Sequence, residues 1–189
     1  DAYKLKIVDT AAQLNLNHPD RDAAKRMLAN LLLNAEQLDN TWTLSRAQAT
    51  KIAAFVIDRR PSVGFQSKAE IFSLITNDIP GVPATAKVTE ELWNNGRKEA
   101  GSDYPRLPIR DMITVYSWVD EKVIRPWNLN NDPRRSLEVQ PRAPINLNTA
   151  SRPVLTALLA NILAENDYGS FHVGANLAST IAEKIIEQR

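Results

Sequence analysis

Two histidines, His18 and His172, are the side chains best suited to hold zinc or move a proton near neutral pH, yet they lie far apart with no second ligand at metal-binding spacing. Each reads as a turn or surface residue. The acidic pairs Glu90-Glu91 and Asp120-Glu121 are of the right type for general acid–base work. Adjacent carboxylates on a helix point in different directions, so a solvated face is the better reading. Serines such as Ser117 and Ser136 have no local histidine partner, and no Gly-x-Ser-x-Gly elbow, phosphate loop or dinucleotide fingerprint occurs. The expectation is a protein without a reaction centre, not an enzyme.

Oxygen ligands are the remaining chemistry. Asn128, Asn130, Asn131 and Asp132 gather in one turn-rich stretch, and Asn166 with Asp167 forms a second candidate set of oxygen ligands. Neither cluster has calcium-loop spacing, and asparagine-rich turns arise readily because asparagine tolerates left-handed backbone. A structural role is therefore the stronger reading of both.

Composition narrows the partners. The 189 residues carry 23 basic and 22 acidic side chains, a net charge of +1, so no global field draws the chain to nucleic acid or an anionic membrane. With no cysteine, disulfides, thiolate zinc sites and cysteine nucleophiles are excluded together, while the compartment stays open. No apolar run approaches the roughly 20 residues of a membrane-spanning helix. A chain this long hides roughly 70% of its unfolded surface, enough for one core or two small ones.

These residues are positioned by a mostly helical pattern. Tyr3 to Asp9 alternates polar and apolar residues like a strand. Asn17, before His18-Pro19, is a plausible helix start, and Ala23, Ala24, Met27, Leu28, Leu31 and Leu32 then recur at helical spacing. Ser45 to Gln48 and Ser67 to Glu70 fit capping boxes that open two further helices. Pro80-Gly81-Val82-Pro83 turns the chain, and Thr89 caps a short helix through Trp93. Met112 to Trp118 is β-branched and aromatic and reads as a strand, with another at Leu137 to Val139. Ser151 to Leu163 and Leu177 to Gln188 read as helices, separated by a loop from Asp167 to Gly174. Arg59-Arg60 reads as a solvated helix end, and Val63, Phe65 and Trp127 are the candidate apolar anchors for a partner.

The most informative stretch is Ile145-Asn146-Leu147-Asn148-Thr149, directly before the helix that Pro153 tolerates in its first turn. Ile145 and Leu147 alternate with Asn146 and Asn148, predicting one buried and one polar edge, with Asn148 or Thr149 accepting from the first-turn N–H groups. Leu14-Asn15-Leu16-Asn17 repeats the pattern before the first long helix.

Two family resemblances rest on these motifs. The run from Ile145 to Ser151, with its leucine-rich helix and the closing Ala182 to Arg189, resembles the helix-hairpin-helix unit of competence-type DNA-uptake proteins. It also resembles the corresponding segment of the K-type minor pseudopilins of bacterial type II secretion systems. The second resemblance extends further, because Leu14 to Asn17, Ser67 to Ile71, Ile79 to Val82 and Ile113 to Ser117 fall in that family's order along nearly the whole chain.

The pseudopilin resemblance implies an α+β, mainly α fold. A SAM/helix-hairpin-helix-like helical domain (17–108) would be inserted in a small pilin-like antiparallel sheet body (1–16 and 109–189), whose strands would come from Leu5 to Asp9, Ile113 to Ser117 and Leu137 to Val139. It implies a periplasmic protein held at the inner membrane by an amino-terminal helix absent from this chain. Its partners would be other minor pseudopilins at the pseudopilus tip and secreted substrate proteins, and calcium, which pseudopilins of this type can carry, would be its candidate cofactor. The competence-type DNA-binding module is the alternative. A hairpin that grips phosphate needs small residues close together, and here Gly169 and Gly174 stand apart while Pro83 lacks an N–H and Asp78 carries the wrong charge.

Overall fold

The computed structural model describes residues 9–35, 44–95, 107–116, 145–166 and 169–189. The expected strands at Leu5 to Asp9 and Leu137 to Val139, Ser117, Ser136, Asp120-Glu121, Trp127 and the Asn128 to Asp132 cluster lie wholly or almost wholly outside them.

Strand β1 (Leu14–Asn15) leads into helix α1 (Arg21–Ala35), followed by α2 (Arg46–Asp58), α3 (Lys68–Ile75), α4 (Glu90–Asn94) and α5 (Ile109–Met112). Strand β2 (Ile113–Thr114), α6 (Arg152–Leu159), β3 (Leu163–Asn166), β4 (Gly169–His172) and α7 (Ala175–Glu187) complete the order. The described residues are mainly helical with little strand, as an α+β, mainly α chain should be.

Local chemistry sets most helix starts. Asp20 Oδ1 accepts from the N–H groups of Asp22 and Ala23 at 2.8 and 3.0 Å, so α1 is capped three residues later than Asn17. Ser45 and Gln48 form the reciprocal capping box of α2. Ser67 Oγ caps α3, while the Glu70 carboxylate reaches the N–H of Gln66, one residue further back than a standard box. Thr89 Oγ1 accepts from Leu92 N–H at the start of α4. Pro80-Gly81 forms a turn closed by Val82 N–H to Ile79 C=O at 3.0 Å, with Gly81 at φ +77°, the geometry of a type II turn.

Helix α1 lies between α2 and α6, and α6 packs in turn on α7. This explains why Met27, Leu28, Ala29, Asn30, Leu31 and Leu32 are all buried: a helix covered on two sides has no solvated stripe there. One apolar cluster runs from Leu14 and Leu16 through α1, α2 and α3 to Leu155, Ala157 and Ala182. Small residues, Ala178 and Ala182, are the buried positions of α7 and let it approach α6 closely. Trp93 is buried beside Phe72, their ring centroids 5.5 Å apart, consistent with a tryptophan in a core seam.

Several expectations change. Met112 closes a helical turn, so β2 covers only two residues of the predicted strand, and it pairs parallel with β1 (Leu14 with Ile113, Asn15 with Thr114). An antiparallel pilin-like sheet is not shown among the described residues. Helix α6 ends at Leu159 because Ala160 turns extended, with ψ 140°, and Asn161 then adopts φ +59°, neither of which a helix can continue. Asn161 and Ile162 then oppose Val173 as a bulge, with Asn161 N–H donating to Val173 C=O and Val173 N–H to Ile162 C=O. The bulge launches the antiparallel hairpin β3–β4, where a helix end and a loop were expected.

Candidate functional site

The two asparagine motifs fold alike. Asn15 Oδ1 accepts from Asn17 N–H at 2.9 Å and Asn15 C=O from His18 N–H. Asn146 Oδ1 accepts from Asn148 N–H at 3.1 Å and Asn146 C=O from Thr149 N–H. Each asparagine thus closes an Asx turn by bonding the backbone two residues on, the local competition that makes this residue a turn former. Each turn is also held by an arginine at the same position: Arg60 donates to Leu16 C=O and Arg189 to Leu147 C=O, both at 2.9 Å. Their second acceptors are His18 C=O and Ala150 C=O.

The turns differ in what surrounds them. Asn17 donates to Phe65 C=O and Val115 C=O and accepts from Phe65 N–H at 2.8 Å, so it joins the first turn to two other segments. Gly64 beside it has φ +82°, and a Cβ there would come within 2.9 Å of Asn17 Oδ1. At the second turn, Asp9 is the hub. Its Oδ2 accepts from Asn146 Nδ2 at 2.9 Å and from Thr149 Oγ1, and Asn146 N–H donates to Ala11 C=O. The Thr149 hydroxyl, foremost among these bonds, holds the Asp9 carboxyl below its ordinary range. The second motif is thereby seated on the segment that precedes the first.

Of the nine motif residues, Leu14, Asn15 and Leu16 are buried, while Asn17, Ile145 and Asn146 are half-buried. Leu147, Asn148 and Thr149 are exposed, Leu147 at 47%. The expected buried edge through Leu147 is therefore corrected: residues 147–149 turn rather than extend, so strand alternation lapses after Asn146. Neither Asn148 nor Thr149 caps α6. Thr149 is drawn to Asp9 instead, and Ser151 occupies the cap position without a side-chain bond to the helix.

A second polar cluster binds α1 to the end of α6. Asn30, buried, donates to Ala157 and Ala160 C=O and accepts from Asn161 Nδ2 at 2.8 Å. Arg26 donates to Leu158 and Ala160 C=O at 3.1 and 3.0 Å. These donors satisfy the carbonyls that the end of every helix leaves open. Nothing in the stripe of α1 singles out Asn30 or Arg26, because their acceptors lie more than a hundred residues away. Asp9 escapes a sequence reading for the same reason, and so do Arg60 and Arg189, whose acceptors lie 39 to 44 residues away. Arg60 in particular is no solvated helix end, since it reaches the first turn.

The other candidates are dispersed. His18 is half-buried and accepts from Asp20 N–H, and burial keeps its imidazole below the ordinary pKa; His172 is exposed. Glu90 and Glu91 are exposed in the first turn of α4. Phe65 is 2% exposed and is no partner anchor, whereas Val63 is 76% exposed. Asn166 ends β3, and Asp167 lies outside the described residues. Among the described residues there is no group of three metal-ligating side chains, and no helix long and apolar enough to cross a membrane.

Beside the second turn lies an open groove of about 530 Å³, walled by Leu147 and by Ile181, Lys184 and Ile185 of α7, with Arg189 at its end. Its chemistry is apolar contact with a cationic rim, which suits association more than bond making. Compared with protein-family models, characterised proteins and solved structures, the chain matches none.

Proposed function

We propose that this chain is a K-type minor-pseudopilin-like component of a bacterial type II secretion system, assembling with other minor pseudopilins at the pseudopilus tip and supporting export of folded proteins. The observation that carries the reading is that both asparagine motifs close as like turns, each clamped by an arginine. These are the motifs on which the resemblance rests. The first is tied to the backbone of Phe65 and Val115, and the second to Asp9 and the Ala11 carbonyl, so both serve positioning rather than bond making. In this reading the protein acts in the periplasm, anchored at the inner membrane by a helix preceding Asp1, and the 17–108 helices are its inserted domain.

Co-expression of the chain with the other minor pseudopilins of the same organism tests this. The expected result is a stable complex by affinity purification and gel filtration. Failure to associate, together with steeply salt-dependent binding to duplex DNA, would replace it with the competence-type reading, because phosphate contacts release counterions.

A further inference from the structure

Leu16 and Leu147 hold the same place in two like-folded, arginine-clamped turns, yet Leu16 is 0% exposed and Leu147 is 47% exposed. Leu16 is covered by the chain's own helices, in one cluster with residues of α1 and α2. Leu147 instead forms one wall of the groove whose other wall is Ile181 and Ile185, one helical turn apart on α7. Leu177, one turn earlier, is 46% exposed and extends the apolar stripe. The wall is set in advance, because Arg189 holds Leu147 and Ala150 by their carbonyls and Asn146 closes the turn beneath them. The charged side chains lining the groove are Lys184 and Arg189, both cationic; Glu187, which pairs with Lys184, is not in the lining.

We infer that this groove seats an amphipathic helix of a partner protein, with apolar residues one turn apart against Leu147, Ile181 and Ile185 and a carboxylate at its edge facing Lys184 and Arg189. Apolar residues at i, i+4 and i+8 on α7 offer the ridge spacing into which such a helix packs. The cationic rim selects an acidic flank over a basic one. The inference deepens the proposed function by giving its partner contact a place and a chemistry, and rests on that reading for the partner's identity.

The test uses the whole chain and a fluorescein-labelled helical peptide of about 18 residues, with leucines at i, i+4 and i+7 and glutamates along one edge. Anisotropy should report saturable binding that Leu147→Ser weakens by about tenfold and Lys184→Glu by a similar factor. A peptide with lysines for glutamates should bind the wild type poorly and recover on Lys184→Glu. Both substitutions are at exposed side chains, and unchanged thermal melts check that the fold persists. Absence of binding, or binding indifferent to both substitutions, overturns the inference even where co-purification succeeds. Sedimentation showing a dimer that Leu147→Ser dissolves, or preference for anionic lysophospholipid micelles over the peptide, overturns it in favour of a second copy or a lipid. Groove binding without pseudopilin association instead removes the secretion reading and leaves the groove.

Discussion

Asn161 donates its side-chain amide to Asn30 Oδ1 at 2.8 Å across 131 residues of sequence, and the pair closes the junction between α1 and the end of α6. Asn161 is also the described non-glycine residue with positive φ. One residue thus starts a bulge just past the helix end and satisfies a buried acceptor. The exposed ion pair Lys25–Asp58, at 2.7 Å, is shorter but contributes only about 0–1 kcal/mol, because water screens it.

Separating the backbone from the side-chain role of Asn161 gives an ordered prediction. Asn161→Gly keeps the left-handed backbone and loses the side-chain bonds, costing about 1 kcal/mol. Asn161→Ala adds left-handed strain of roughly 1–2 kcal/mol. Urea unfolding should rank wild type, then glycine, then alanine; equal losses would mean that the backbone is under no strain there.

Asn30→Ala leaves the Ala157 and Ala160 carbonyls and Asn161 without that partner in a buried seam, an expected loss of about 1–3 kcal/mol. Leu28→Ala, beside it in the same helix and 0% exposed, should cost about 2–5 kcal/mol through the cavity it opens. Denaturant midpoints measure both. A near-neutral Asn30→Ala would show that water replaces the lost bonds.

Gly64→Ala combines a strained φ of +82° with a Cβ 2.9 Å from Asn17 Oδ1. Asn17→Ala removes the clashing atom together with three bonds to Phe65 and Val115. The two changes should be less than additive, with a coupling of about 0.5–3 kcal/mol in a double-mutant cycle, because they share one contact. Strict additivity would show that the two sites act independently.

His18 sits half-buried with its Nδ1 facing Asp20 N–H and with the Arg60 and Arg26 guanidiniums nearby, and burial is the main reason its pKa lies below the ordinary value. The unfolded chain therefore takes up the proton first as pH falls. Stability should decline as pH drops below about 6.5 and level off below the folded-state pKa. His18→Asn retains an acceptor near Nδ1 and cannot gain the charge, so its urea midpoint should change less between pH about 7.5 and about 5 than that of the wild type. Parallel curves for the two proteins would dismiss His18 as the titrating group.

Asp9 shows the opposite sign. Its carboxyl is held below the ordinary range by Thr149 first, so its contribution is complete above the unfolded value of 3.8 and fades as pH falls through the lower folded value. Asp9→Asn should destabilise the chain at neutral pH and converge with the wild type in acid. A constant difference between the two at all pH values would separate the seating of the second turn from carboxylate charge.

What the sequence determined by itself is local. Ser45, Ser67 and Thr89 cap their helices with bonds spanning three residues, and the α1 stripe announces its core positions. Such signals lie within one turn of chain and survive without knowledge of the rest. Tertiary structure decided what each local piece faces. Leu16 and Leu147 carry the same residue in the same turn, and only the arrangement of helices covers one and leaves the other in a groove. The parallel pairing of β1 with β2, the bond of Asn161 to Asn30 past the end of α6, and the arginines that hold the turns all join residues dozens to more than a hundred positions apart. Their partners are chosen by packing, because a buried carbonyl must find a donor wherever the fold brings one.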